Sequence, residues 1–296
     1  MLRIKNLYKS YGSLKALQNI SIQFKKGSCF GLIGPNGAGK STLIKIISCI
    51  ITSDDGTILI ERAPIQIGYV PQDLCLEESV SAQQNLLFFG EISGLKKEQL
   101  HSKVEHVLSK IDLSSHAEQK VQTFSGGMKR RLNIGCALMS EPNVIILDEP
   151  TVGIDPESRQ YILQLVQKMK QENKTIIYST HYMEEAEKIC DEIAFLHQGE
   201  IIKQTTMDKL LKSNANPEIF FQLEEQQEHS IDTGIFGDVQ ESSNGYLLKA
   251  ENPIQTMEHI LNTCKQHQLE LVRLEMIQPR LEDVFFQLTG NQLQKS

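Results

Sequence analysis

The sequence of 296 residues contains no apolar run that approaches the roughly 20 residues needed to cross a bilayer. Its nearest candidate, residues 44–51, is short and carries Lys45. The N-terminal residues, MLRIKNLYKSYG, also lack the apolar segment of a signal peptide. We therefore expect any role at a membrane to come through a partner protein.

Basic residues are also fewer than acidic ones. The 30 lysines and arginines against 37 acidic residues give a net charge of −7. A general nucleic-acid-binding protein usually presents a basic face, so we expect no nucleic-acid partner.

Paired cysteines are also missing. The six cysteines stand singly, without a C-x-x-C pair, at positions 29, 49, 75, 136, 190 and 264. This spacing argues against a disulfide framework or a zinc site, and it favours reduced thiols, mostly small core residues, in a cytosolic protein. The chain length allows one large domain and a smaller one.

Glycine, in contrast, is concentrated where phosphate chemistry uses it. Residues 34–41 read GPNGAGKS and match the pattern G-x-x-x-x-G-K-[ST], between an apolar strand at 29–33 and a predicted helix at 42–51. The glycines let successive N–H groups curl around anionic oxygens, and the helix adds its positive end. Lys40 brings a charge to the β- and γ-phosphates, and Ser41 offers a hydroxyl to Mg²⁺. The alternative is a glycine-rich turn that binds nothing.

Two flanking residues are weaker candidates. Tyr11 ends the first of two predicted strands, at 2–7 and 17–24, which a turn at Gly12–Ser13 separates. Its ring can stack on adenine, or it is simply an edge tyrosine. Gln72 follows a predicted strand at 67–70, where its carbonyl can ligate Mg²⁺ or position a water, although most loop glutamines are solvated.

A helical insert follows Gln72. Ser81 is a plausible N-cap for a helix at 82–92, and the apolar spacing of residues 96–111 predicts a second helix. Two such helices between strands suggest a subdomain that stands off the main sheet, with either a docking face or ordinary packing. Ser125 then opens the turn FSGGMK before a helix at 130–139. Most such turns are simple helix caps, but this one can also be a second helix-terminus anion site. Two chains packed head-to-tail could then bring both loops to one nucleotide.

Acidic residues mark the end of a buried strand. Residues 143–147 are a continuous apolar run that ends in Asp148 and Glu149. Asp148 suits Mg²⁺ binding through water, and Glu149 can polarise an attacking water. His181 ends a later strand, at 174–179, where it can hydrogen-bond a γ-phosphate, although a lone histidine there is more often structural. Asp155 lies in the turn GIDP before a helix at 157–171.

Taken together, residues 1–211 resemble the ATP-binding subunits of ATP-binding-cassette (ABC) transporters. The motifs occur in that family's order: Tyr11, GPNGAGKS, Gln72 in YVPQD, FSGGMKRR, VIILDEP, GIDP with Asp155, and His181 in STHYMEEAE. The resemblance implies an α/β P-loop fold with a mostly parallel core sheet, an antiparallel β subdomain and a helical subdomain at about 73–140.

The resemblance also implies a set of roles. It implies that Glu149, His181 and Gln72 are catalytic and that Asp155 is the D-loop aspartate. Two copies would sandwich ATP, and dimer closure would drive a membrane permease from the cytoplasmic face of the membrane. The implied ATP-binding residues are Tyr11, Gly34, Pro35, Asn36, Gly37, Ala38, Gly39, Lys40, Ser41 and Thr42. The implied Mg²⁺ ligands are Ser41, Gln72 and Asp148, and the residues that would act on the partner's nucleotide are Ser125, Gly126, Gly127 and Met128.

The remaining sequence indicates a second domain. We expect a cassette at 1–212, a linker at 213–217 and an α+β extension at 218–296, with strands at 218–223, 245–250 and 269–275 and a helix at 254–266. The end of the extension, QPRLEDVFFQLTG, resembles the C-terminal extension of ABC-2 class ATPases, which serve prokaryotic drug, antibiotic or polysaccharide exporters. Three features depart from the family pattern: Phe124 replaces leucine, residues 56–68 look shortened, and Gln84 stands where glutamate is frequent.

Two alternatives compete with an exporter subunit. A soluble ATPase of the same superfamily, acting on DNA or ribosomes, usually has tandem cassettes or coiled-coil inserts, and this chain has neither. A nucleotide-binding module without turnover is disfavoured because Glu149 and His181 are both present.

Overall fold

The computed structural model describes residues 2–60, 65–213, 218–224, 233–242, 244–250, 252–277 and 281–289. The chain divides into two compact units, Met1–Met207 and Asp208–Ser296. The helix Met207–Ser213 crosses this division, and the rest of the predicted linker, 214–217, lies outside the described residues. The domain limits at 212 and 218 stay a prediction.

A six-stranded sheet forms the centre of the first unit, with the order β5-β6-β7-β3-β8-β9. Its first five strands run parallel, and only β9 pairs antiparallel, in the hairpin with β8. The strands β3, β6 and β7 are buried along their whole length, which agrees with the apolar runs at their centres. The strand bounds are β3 Cys29–Ile33, β5 Ile67–Val70, β6 Val144–Asp148, β7 Thr175–Thr180, β8 Glu192–His197 and β9 Glu200–Thr206.

A second, antiparallel sheet lies at the N-terminal part of this unit. It has the order β2-β1-β4, with β1 Leu2–Tyr11, β2 Leu14–Phe24 and β4 Asp55–Ile60. Its apolar side chains share one core cluster with β3 and the helix after it, and the rings of Phe24 and Phe30 meet edge-to-face at 4.8 Å. This shared core fixes β1 and β2 relative to the central sheet.

Helices make up the remainder of the first unit. The helix α1 ends at Ile47 rather than at the expected residue 51, because Ser48 caps it and Cys49 has a φ of 58°. Gln84 completes a reciprocal capping box with Ser81 at the start of α2, so this departure from the family pattern keeps the capping function. The helices are α1 Lys40–Ile47, α2 Ala82–Ile92, α3 Lys97–Lys110, α4 Gly126–Leu138, α5 Pro156–Gln171, α6 Met183–Ile189 and α7 Met207–Ser213.

The second unit contains an antiparallel sheet with its own core. The strand order is β11-β12-β10-β13, and apolar side chains of the sheet and of helix α8 form one buried cluster around Phe221, Phe236 and Ile260. The sequence indicated three of these strands and α8, but not β11 or α9. The bounds are β10 Glu218–Leu223, β11 Val239–Ser242, β12 Gly245–Lys249, α8 Pro253–Gln266, β13 Leu271–Ile277 and α9 Leu281–Thr289.

Candidate nucleotide-binding site

The phosphate loop joins the carboxyl end of β3 to the first turn of α1. Gly39 precedes the helix with a φ of 105°, and a Cβ there would lie 2.6 Å from the carbonyl oxygen of Ala16. Only glycine fits both the backbone conformation and the space. The first N–H groups of a helix have no partner within the helix, so α1 directs several donors and its positive end at the loop.

Lys40 is held inside this loop. Its Nζ donates hydrogen bonds to the carbonyl oxygens of Gly34 at 2.7 Å and Pro35 at 3.1 Å. The same Nζ lies 3.1 Å from Oε1 of Glu149, and each side chain is 5% exposed. The ammonium group is therefore oriented by the loop itself, with a buried carboxylate as its counter-ion.

A cavity of about 660 Å³ opens on the loop. Tyr11, half-exposed, lines the cavity together with Gln72, Glu149 and the phosphate loop. Of the described residues that line it, none belongs to the turn at 125–128. The lining residues are Tyr11, Leu14, Lys15, Ala16, Gln18, Asn36, Gly37, Ala38, Gly39, Lys40, Ser41, Thr42, Gln72, Glu149 and Gln198.

Oxygen donors suited to Mg²⁺ meet beside the loop. The Ser41 hydroxyl donates to Oδ1 of Asp148 at 3.3 Å, and the Ser179 hydroxyl donates to the same oxygen at 2.7 Å. Burial, followed by the negative charge of Asp148, raises the pKa of nearby Tyr69, so its hydroxyl stays neutral. A hydroxyl and a carboxylate, with the Gln72 side chain in the same cavity, match the hard oxygen ligands that Mg²⁺ prefers.

Glu149 and His181 form a close pair at the ends of β6 and β7. Nδ1 of His181 lies 2.7 Å from Oε2 of Glu149, and the other carboxylate oxygen faces Lys40. Glu149 has a φ of 50°, in the left-handed region, and its N–H donates to the Ser179 hydroxyl at 3.0 Å. Non-glycine residues in this region cost of order 1 kcal/mol or more, and such strain concentrates at functional sites.

The turn at 125–128 packs against another part of the same chain. Ser125 caps α4 by accepting a hydrogen bond from the N–H of Met128 at 3.2 Å. A Cβ on Gly127 would lie 1.8 Å from Oγ of Ser158, so only glycine allows this approach. Ser158 in turn donates its N–H to the N-cap Asp155 at 2.8 Å, and this backbone hydrogen bond lowers the pKa of Asp155. The Gly126 and Ser125 side of the turn is exposed.

Nothing in the sequence indicated two hydrogen bonds that join α4 to the segment after β5. The guanidinium group of Arg130, on α4, donates to the carbonyl oxygen of Pro71 at 3.1 Å, next to Gln72. Asn133, one turn further, accepts the N–H of Cys75 at 3.2 Å. Residue type alone gave no signal for these contacts, because only the packing of α4 against the segment after β5 brings them together.

A phosphate loop between a buried parallel strand and a helix, with an acid pair at the end of a strand in the same sheet, defines a P-loop nucleoside triphosphatase. The protein-family model described as ABC transporter matches residues 17–152. The linearmycin resistance ATP-binding protein of Bacillus subtilis (strain 168) is 38% identical over 314 residues, covering 99% of each chain. A Nod factor export ATP-binding protein I of Sinorhizobium fredii is 33% identical and covers 99% of this chain and 87% of its own.

Solved structures agree with this assignment. An ATP-binding cassette dimer in a post-hydrolysis state with ADP and Pi is 27% identical, with a TM-score of 0.63 over 70% of this chain and 99% of its own. A part of an ABC transporter complex from Clostridium perfringens is 30% identical, with a TM-score of 0.65 over 72% of this chain and 90% of its own. The chain belongs to the family of ATP-binding subunits of ABC transporters.

As a member of this family, the chain has the predicted fold, binds ATP with Mg²⁺ and hydrolyses ATP. Subunits of this family dimerise and function with membrane permeases. In the part of the chain that the structure describes, no helix has both the length and the apolar character of a membrane span.

Proposed function

We propose that this chain is the motor subunit of a prokaryotic exporter, which works as a dimer on the cytoplasmic face of a separate membrane permease. The observation that carries the proposal is the extent of the match to relatives named for resistance and export. Both matches extend over 99% of this chain, and therefore over the second unit as well as the cassette. That unit has a core of its own, so the likeness is to a whole subunit and not to a shared cassette alone.

In this proposal the loop residues bind the triphosphate. Lys40 and the N–H groups at the start of α1 neutralise the β- and γ-phosphates, and Tyr11 stacks on the base. Ser41, Asp148 and Gln72 would hold Mg²⁺, which neutralises developing charge on the phosphate oxygens. Because Lys40 and Glu149 neutralise each other at 3.1 Å, triphosphate binding gives Lys40 a new counter-ion and releases the carboxylate for chemistry.

Hydrolysis then depends on the acid and the histidine. Glu149 accepts a hydrogen bond from the attacking water and takes its proton, as a general base at the edge of the cavity. His181 holds the carboxylate at 2.7 Å and orients it toward the nucleotide. The strained backbone of Glu149 keeps that side chain directed across the end of the sheet.

The second half of the site is supplied by the partner subunit. Within one chain, the described cavity lining contains none of residues 125–128, whereas Ser125 and Gly126 are exposed. A twofold arrangement places the same turn of the partner against each nucleotide, because a C2 interface repeats every contact. Asp155 borders this turn through Ser158 and Gly127, so we place it at the same dimer interface.

Replacing Lys40 with alanine should lower the affinity for Mg-ATP by about 10- to 100-fold, since hydrogen bonds to charged groups contribute about 1.5–3 kcal/mol each. Lys45→Ala is the matched control, because it removes the same charge from an exposed position of the same helix. The measurement is calorimetric titration of the full chain with ATP. Equal affinities for the two variants would exclude the proposed role of Lys40.

Replacing Tyr11 with alanine should weaken ATP binding by about 5- to 100-fold, because base–aromatic stacking is worth about 1–3 kcal/mol. Tyr11→Phe should bind almost normally, since it keeps the ring. Tyr8→Ala is the control: Tyr8 is comparably exposed on the same strand but does not line the cavity. A loss of affinity that is the same for Tyr8→Ala and Tyr11→Ala would show that stacking is not the cause.

The exporter proposal itself is tested with the permease. A neighbouring gene for a six-span membrane protein identifies the candidate, and the two proteins are co-expressed with a tag on this chain. We expect a stoichiometric complex from detergent-solubilised membranes, whose ATPase activity depends on both subunits and is lost with Lys40→Ala. If the chain hydrolyses ATP at the same rate with and without the permease and does not co-purify with it, the soluble-ATPase alternative is favoured.

A further inference from the structure

A buried carboxylate, that of Glu185, is hydrogen-bonded to the segments that carry Glu149 and His181. Glu185, in the first turn of α6, is only 3% exposed. Its Oε2 accepts three hydroxyl hydrogen bonds, from Thr151 at 2.9 Å, Tyr178 at 2.9 Å and Thr180 at 3.1 Å. The three donors are themselves fully or almost fully buried.

Two of these donors belong to the segments that carry the reactive pair. Thr151 follows Glu149 by two residues, and Thr180 immediately precedes His181. The Thr180 hydroxyl also accepts the N–H of Tyr182 at 2.9 Å, so a single hydroxyl links Glu185 to the backbone just after His181. Through these hydrogen bonds the Glu185 carboxylate connects the segment after β6 to the end of β7.

A second connection reaches the histidine ring itself. Nε of Arg159, on α5, lies 3.5 Å from Oε1 of Glu185, and its guanidinium group lies 4.5 Å from the ring centre of Tyr182. The Tyr182 ring is in turn 4.1 Å from the His181 ring. Glu185 therefore supports the His181 loop through hydrogen bonds on one side and through a stacked cation on the other.

Burying the Glu185 carboxylate costs free energy, which argues that this residue serves to orient its neighbours. Burying a carboxylate is unfavourable unless it is fully partnered, and a well-packed apolar residue in its place is often as stable or more stable. Burial, followed by the charge of Glu185, raises the pKa of Tyr178 well above its ordinary value, in agreement with a hydroxyl that donates to this carboxylate. What the carboxylate adds over an apolar residue is the orientation of three hydroxyls and of the Arg159 guanidinium group.

We infer that Glu185 is a positioning residue for ATP hydrolysis, which holds the Glu149 segment and the His181 loop so that their side chains meet. The inference rests on the proposed roles of Glu149 and His181. Glu185 does not itself line the nucleotide cavity among the described residues, so its effect is on turnover rather than on binding.

The first test is Glu185→Gln in the full chain. Glutamine keeps the volume, but a neutral amide oxygen accepts three donors more weakly, and its NH₂ group faces Arg159. We expect kcat to fall by about tenfold or more with KM for ATP within about threefold, since misplacement of reacting groups by about 1 Å can cost about 10²-fold. An unchanged kcat, or a fall in kcat/KM that comes entirely from a higher KM, would overturn the inference.

A double-mutant cycle with His181→Ala separates positioning from general destabilisation. If Glu185 acts through His181, Glu185→Gln should reduce single-turnover hydrolysis by less than about threefold in the His181→Ala background, because coupled residues are not additive. The same fold-loss in both backgrounds would mean that Glu185 has a merely structural role.

Milder variants keep the inference testable if Glu185→Gln fails to fold. Thr180→Val removes the hydroxyl that reaches the His181 loop, whereas Tyr178→Phe removes an equally buried donor from within β7. We expect Thr180→Val to lower kcat at least about fivefold more than Tyr178→Phe, and equal effects would count against positioning. If Glu185→Gln is fully active while Glu149→Gln is inactive, the inference about Glu185 is wrong but the proposed role of Glu149 stands. If Glu149→Gln is active, the proposed role of Glu149 is itself wrong.

Discussion

Glu149→Gln is expected to reduce the rate of ATP hydrolysis by about 10²–10⁴-fold, because the amide cannot take a proton from the attacking water. ATP binding should persist, since the phosphate loop and Lys40 are unchanged, and Lys40 no longer has a buried carboxylate as a competing counter-ion. The variant should therefore accumulate as an ATP-bound dimer. Steady-state phosphate release and size-exclusion chromatography with Mg-ATP measure the two effects.

Glu192→Gln is the matched control for this experiment. Glu192 is also a buried glutamate of the same sheet, but it lies at the amino end of β8, pairs with Lys25 and does not line the cavity. Its replacement should leave hydrolysis within about twofold of the unaltered protein, as expected for a change away from the transition state. If Glu149→Gln hydrolyses ATP as fast as this control, Glu149 is not the base.

Ser125→Arg is expected to prevent ATP-dependent dimerisation while one chain still binds ATP. The exposed turn before α4 would carry a bulky cation where the partner's nucleotide approaches. Lost N-capping of α4 contributes about 1 kcal/mol of destabilisation, so Ser125→Ala is included to separate the cap from the bulk. Chromatography in the Glu149→Gln background measures the dimer without interference from hydrolysis.

Mixing variants makes this test sharper. Chains with Ser125→Arg and chains with Lys40→Ala should each fail to form the dimer, yet their mixture can build one complete site from the intact loop of each. Ser102→Arg, on the exposed face of α3, controls for added charge and should dimerise normally. Dimerisation of Ser125→Arg alone with ATP would contradict the trans arrangement.

The phosphate loop shows why some parts of the site could be predicted from local sequence. Gly39 is required by a positive φ and a close carbonyl, and Ser81, Ser125 and Asp155 each cap the helix that follows them. Such features depend on residues within a few positions, so the pattern alone reveals them. The buried strand β6 could be predicted equally well, because a strand covered on both faces must be largely apolar.

Other features depended on contacts between distant segments. Arg130 meets Pro71 across 59 positions, and Glu185 gathers donors from two strand ends and faces an arginine on α5. The strand β11 was missed because its residues, VQES, are mostly polar and half-exposed. Neither propensity nor periodicity marks such residues, since the packing partner decides their role.

From the sequence alone we could predict the class of protein and its nucleotide, and propose the residues that bind the phosphates, because these features depend on local backbone geometry and on fixed motif order. Which of those residues meet within one chain depends on the fold. The sheet order sets Glu149 between Lys40 and His181, and the described cavity lining does not include the turn at Ser125. The physical reason is that parallel strands distant in sequence end at one edge of the sheet, and only folding establishes their order there.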